Sequence, residues 1–170
     1  MRPNPNDFAP YYARYIELVP EDDVLTAMES QSAETQRLLA SVDETRAAFR
    51  YAPEKWSVKQ VVGHFTDAER IFGSRMHAIS RGEQQSLPGF DENAYVANGG
   101  FDAWKIGDLA EHYALARRAN IVLLRNLAED AWDRRGLANG VPVTVRAIAF
   151  LTVGHERHHL RVLREKYLVA

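Results

Sequence analysis

Thr144-Val145-Arg146-Ala147-Ile148-Ala149-Phe150-Leu151-Thr152-Val153-Gly154-His155-Glu156-Arg157-His158-His159-Leu160 is the stretch that decides how this chain folds. Thr144 offers a side-chain oxygen to cap a helix, and Val143 before it and Ile148 after it are placed as a hydrophobic staple. Val145, Ile148, Thr152, His155 and His159, then Val162 or Leu163, recur on one face at helical spacing. Two imidazoles four residues apart on such a face lie about 5–6 Å apart at Cβ, close enough to share one metal ion. The same face carries Ile148 and Thr152, so both rings are predicted to point inward, where a buried imidazole needs a partner.

Three further segments show this periodicity. Glu21, Asp22 and Asp23 place negative charge at the start of a first helix. Its stripe of Val24, Met28, Gln31, Thr35, Leu38, Leu39 and Val42 runs to about residue 48, before Tyr51-Ala52-Pro53. A second helix starts at Ser57, which pairs with Gln60 as a capping box and is flanked by Trp56 and Val61 as a staple. Its inner stripe is Val61, His64 or Phe65, Ala68, Ile71 or Phe72, and Met76, with Gly82 as the stop. A third helix is predicted from about Asp108, with Glu111 completing an Asp-x-x-Glu box. It carries Leu109, His112 or Tyr113, Ala116, Asn120, Leu123, Leu124 and Leu127. Residues 133–140 read as a turn region before the fourth helix.

Four amphipathic helices without a convincing strand predict an all-α four-helix bundle, a single domain over residues 1–170. Residues 1–20 hold four prolines and the rings of Phe8, Tyr11, Tyr12 and Tyr15, and predict an extended N-terminal arm packed on the body. Residues 82–106 form a long loop between helices 2 and 3 with Phe90, Tyr95, Phe101 and Trp104. A loop of that length in a compact domain is uncommon and often functional, so a cover over a pocket is expected.

The net charge of −2 gives no electrostatic footprint for nucleic acid. The chain has no cysteine, which excludes disulfides, thiolate zinc sites and a cysteine nucleophile. Any thiol in its chemistry must come from outside. The polar, proline-rich start lacks the apolar core of a signal peptide, and no run of about 18 apolar residues offers a membrane span. A cytoplasmic location is expected.

His64, on the second helix, supplies a third imidazole. Three neutral imidazoles around a divalent ion leave a coordination position open for chemistry. His158 competes with His159: around the helix axis His159 sits about 40° from His155 and His158 about 60° on the other side, and the stripe rejects neither. His77 and His112 read as surface or core residues. Asp67 and Glu156 are placed to accept the second N–H of a ligand ring, and Glu156 is also a candidate general base. Arg75, Arg117 and Arg118 are candidates to orient an anionic substrate.

These features together resemble the DinB superfamily, specifically its DinB-like, YfiT-type metal-dependent enzymes. The resemblance is carried by Trp56-Ser57-Val58-Lys59-Gln60-Val61-Val62-Gly63-His64, by Asp67-Ala68-Glu69-Arg70, by Leu87-Pro88-Gly89-Phe90-Asp91 and by Gly154-His155-Glu156-Arg157-His158-His159. It extends from about residue 20 to 167. It implies a four-helix bundle in which His64, His155 and His159 hold a divalent metal, and it favours His159 over His158. It also implies a homodimer and, by likeness to S-transferases that use bacillithiol or mycothiol, a low-molecular-weight thiol as cosubstrate. The function expected is therefore a metal-dependent S-transferase acting on small electrophiles, with zinc or nickel as the metal. A metal-dependent hydrolase is the alternative, as is a non-catalytic metal- or ligand-binding stress protein.

Overall fold

Four long helices carry the structure, a computed structural model that describes residues 1–167. They are α2 (Val24–Ala40), α4 (Val58–Ser80), α6 (Ile106–Arg125) and α7 (Val145–Lys166). Shorter helices α1 (Ala13–Ile16), α3 (Glu44–Ala47) and α5 (Glu92–Asn98) fill the connections. The principal contacts run from α2 to α6, α6 to α4, α4 to α7 and α7 back to α2. This order sets α2 across from α4 and α6 across from α7.

Local chemistry starts three of the four helices. The Asp23 carboxylate accepts from the Leu25 N–H at the start of α2. Ser57 and Gln60 make the reciprocal capping box at α4, and Thr144 accepts from the Ala147 N–H at α7. α6 is different: it starts at Ile106, two residues before Asp108, and its N-cap Lys105 makes no side-chain cap. The Glu44 carboxylate of α3 accepts from the Ile106 N–H at 2.9 Å and also pairs with Lys59. This cap crosses 62 residues of sequence, beyond the reach of any local start signal. α2 likewise ends at Ala40, short of residue 48, because Asp43 caps the separate turn α3.

The turn region at 133–140 is in part a β-hairpin, which corrects the expectation of no strand. β1 (Arg135–Ala138) pairs antiparallel with β2 (Val141–Thr144). Asn139 and Gly140 join them with φ of 54° and 73°. An Asn-Gly pair with positive φ at both positions matches the twist of a two-residue hairpin and is its strongest sequence signal. Leu87 adds to the β1 end, its N–H donating to Leu137 and its carbonyl accepting from Asn139. The hairpin thereby ties down the loop Leu87-Pro88-Gly89-Phe90.

The core falls into two apolar clusters. One gathers Met28, Phe72, Met76, Ile148 and Phe150; the other gathers Leu39, Val61, Phe65, Leu109 and Leu160. Between them every long helix contributes buried polar residues: Gln31 and Thr35 from α2, Glu69 from α4, Arg117 and Asn120 from α6, Glu156 from α7. Arg117 grips Glu69 through two bonds of 2.9 and 2.8 Å and reaches Glu156 at 2.6 Å. Gln31 and Thr35 each donate to Glu156 at 2.6 Å, and Asn120 donates to Glu69 at 2.7 Å. Burial opposes the charge on Arg117, but the two carboxylates outweigh it and hold its pKa well above the ordinary value.

Candidate metal centre

α4 delivers His64 and α7 delivers His155 and His159 to one point beside this polar layer. Their ring nitrogens form a group within 4.8 Å of one another. Nε2 of His155 lies 3.2 Å from Nε2 of His64 and 3.2 Å from Nε2 of His159. Zinc–imidazole bonds of about 2.0–2.1 Å at tetrahedral angles set two ligand nitrogens about 3.3–3.4 Å apart. The observed spacing is thus that of ligands sharing one ion, and the donor set fits a divalent transition metal.

Burial pushes the His64 imidazole down to about 4, with the neighbouring His158 adding to the effect. His155 is pushed to about 3, by burial first and then by His64. His159 falls well below its ordinary value for the same reasons. All three rings are therefore neutral near pH 7, the state a metal needs. His64 is buried, while His155 and His159 keep a partly open edge.

Aromatic rings fix these imidazoles in place. Trp56 tilts against His64 with centroids 4.9 Å apart, and Phe72 meets His155 edge-on at 5.7 Å. Tyr15 covers His155 at 5.5 Å and His158 at 5.6 Å. The N-terminal arm is more folded than expected, with turns at Pro5–Asp7 and Pro10–Tyr12 leading into α1. α1 lies on α7, and Gly154 explains how. A Cβ there would stand 2.0 Å from the Tyr15 carbonyl oxygen, so only glycine lets the arm approach closely enough for Tyr15 to reach the histidines. Gly154 and Tyr15 thereby belong to the site, and a glycine one residue before a helical histidine is the sequence sign of the close approach.

A cavity of about 200 Å³ opens beside the cluster, walled by His64, His155, Phe72, Arg75, Tyr15 and Phe90 among others. Phe90, Gly89 and Glu92 of the wall belong to the long connection, and Asn139 comes from the hairpin turn. The remaining candidates lie elsewhere. His158 stands outside the three-nitrogen group. His77 is exposed, and His112 contacts Arg70 at 2.7 Å. Asp67 lies near His112 and Arg70, and burial raises its pKa. Arg118 is exposed, and Arg117 belongs to the polar layer. Glu156, the candidate general base, lies in the polar layer. Both of its oxygens are taken by Arg117, Gln31 and Thr35, and among the described residues no hydrogen bond joins it or Asp67 to a ligand ring.

The fold and the site define a helical bundle with a three-histidine centre against its interior. A family model for the DinB superfamily matches residues 27–163, and the chain belongs to that superfamily. Among solved structures it is similar to YfiT from Bacillus subtilis, described as "a probable metal-dependent hydrolase with an unusual four-helix bundle topology". The TM-score is 0.76 at 17% identity over 97% of this chain and 90% of that one. It is also similar to the mycothiol-dependent maleylpyruvate isomerase, with a TM-score of 0.67 at 18% identity over 85% of this chain. The match spans 61% of the isomerase, so it concerns part of that protein. Among curated proteins no significant sequence match was found.

Proposed function

We propose that His64, His155 and His159 hold one zinc or nickel ion through Nε2, and that the protein is a metal-dependent enzyme joining an external thiol to a small electrophile. The observation that carries this reading is the convergence of three neutral imidazole nitrogens, two of them on His64 and His155 at the wall of a cavity. A divalent ion held by three neutral ligands keeps its full charge, which lowers the pKa of a thiol or water entering its open position. The protein's own residues do the rest. Burial keeps the rings neutral, so binding near pH 7 displaces no proton from them. Tyr15, Trp56 and Phe72 hold the imidazole planes. The cavity of about 200 Å³ opens to solvent and gives a small ligand access to the face of His64 and His155. The absence of cysteine makes an external thiol necessary for such a transfer, and the fold shared with a mycothiol-dependent protein supports it.

A hydrolase is the second reading, favoured by the YfiT likeness along nearly the whole chain. Here water takes the place of the thiol. Protein purified without a histidine tag and loaded with zinc or nickel separates the two. A chlorinated aromatic electrophile is offered with bacillithiol, mycothiol and glutathione in turn. Conjugation with one thiol, abolished by a chelator, is expected. Metal-dependent ester or amide cleavage without thiol would favour the hydrolase instead. Metal retained without turnover by either route would point to a binding role. Less than about a tenth of an equivalent of bound metal overturns every metal-based reading. We further propose a homodimer. Leu115 and Val122, seven residues apart and exposed on α6, support it, and light scattering in solution tests it.

A further inference from the structure

Four cations are buried among the described residues: Lys59, Arg75, Arg117 and Arg146. Three have carboxylates. Lys59 pairs with Glu44, Arg117 with Glu69 and Glu156, and Arg146 with Asp133. Arg75, only 6% exposed, has none. Its Nη2 donates to the Pro88 carbonyl at 2.7 Å, its guanidinium lies 5.9 Å from the Phe72 ring centroid, and its Nε has no partner. A buried charge without a counter-ion is costly, and an unpaired buried donor in a native protein calls for an explanation. Burial correspondingly lowers the Arg75 pKa, with Tyr12 nearby as the opposing influence.

Arg75 lines the same cavity as His64 and His155. Glu92 also stands at that cavity, but it is exposed and makes no ion pair with the guanidinium. The carbonyl that Arg75 grips belongs to the loop tied to the hairpin, so the side chain is fixed at the cavity wall and not free to seek an acid elsewhere. We infer that Arg75 anchors a carboxylate of the substrate, setting the substrate's reacting atom against the three histidines. The planar guanidinium fork matches a carboxylate, which would supply the acceptors that Arg75 lacks. The substrate class is thus a small carboxylic acid whose electrophilic centre lies within the cavity's length of its carboxylate. The carboxylate's placement beside a metal rests on the function proposed above; the anion site itself rests only on Arg75.

The test uses propionate and its neutral analogue propionamide as probes of the full chain, both zinc-loaded and chelator-treated. Binding is read by the NMR resonance of the Arg75 Nε–H and by calorimetry. In the chelator-treated protein propionate is expected to bind at least about tenfold more tightly than propionamide and to shift that resonance. Arg75→Gln should remove the preference while still taking up one zinc per chain, and Arg75→Lys should keep part of it. Equal binding of the two probes, or an undiminished preference in Arg75→Gln, overturns the inference. Should Arg75→Gln fail to fold, the wild-type probe comparison and the Nε–H signal decide the matter alone. Propionate binding with no zinc uptake would sink the metal reading and leave the anion site standing.

Discussion

His155 and Glu156 are consecutive residues on α7, about 100° apart around the helix, and they meet opposite kinds of surroundings. Glu156 enters a knot in which Gln31, Thr35 and Arg117 occupy its oxygens. His155 enters a group where three nitrogens of the same kind face one another beside a cavity. In the first region each charge meets its complement, and the knot joins all four long helices. In the second, three imidazole nitrogens converge, with His155 Nε2 3.2 Å from each of the other two, the spacing that ligands take around one cation. Burial of polar groups alone therefore does not mark a functional site; what distinguishes the second region is convergence of metal-ligand atoms of one kind beside a cavity.

The sharpest way to break this contrast is to remove Arg117. Arg117→Met leaves Glu69 and Glu156 buried without their cation, and should lower the stability of the metal-free protein by about 3–5 kcal/mol in urea titrations. A loss below about 1 kcal/mol would mean that the knot is no more structural than the histidine cluster. Replacing His64, His155 or His159 by alanine should weaken zinc binding at least about 100-fold, while costing less stability than Arg117→Met. His158→Ala should leave zinc binding intact. If His158→Ala destroys binding and His159→Ala does not, the ligand set is wrong.

Gly154→Ala addresses the lid over the cluster. It forces the Tyr15 backbone away and should cost about 1–3 kcal/mol, with faster proteolysis of the N-terminal arm. Zinc should still bind. An unchanged Tyr15 environment by NMR would show that the close approach is not needed.

A pH dependence tests the neutral state of the cluster. The cluster histidines have lower pKa values in the folded protein than the ordinary 6.5, so the unfolded chain takes up their protons first. Metal-free stability is then full above about pH 6.5 and falls as the pH drops toward about 4 for His64 and about 3 for His155. The slope approaches about 1.4 kcal/mol per pH unit for each such histidine. Thermal melts of the metal-free protein from pH 7.5 to 5 check it, and His64→Ala should flatten the curve. A melting temperature that rises on acidification would contradict buried neutral rings.

The linear order of residues was enough for the four helices and for three of their starts, because caps at Asp23, Ser57 and Thr144 act within a few residues. It was also enough to nominate the histidines, since i and i+4 on one helix must share a face. The hairpin is written locally too, in the Asn139-Gly140 pair. Other features were beyond any local reading. The cap of α6 comes from Glu44, the partners of Glu156 come from α2 and α6, and Tyr15 lies over His155 from the far end of the chain. Whether His155 or Glu156 faced the cavity, and which of His158 and His159 joined His64, depended on how α7 is rotated against α4 and α2. That rotation is set by packing the whole apolar surface at once, a property of the assembled bundle that no single helix carries in its own sequence.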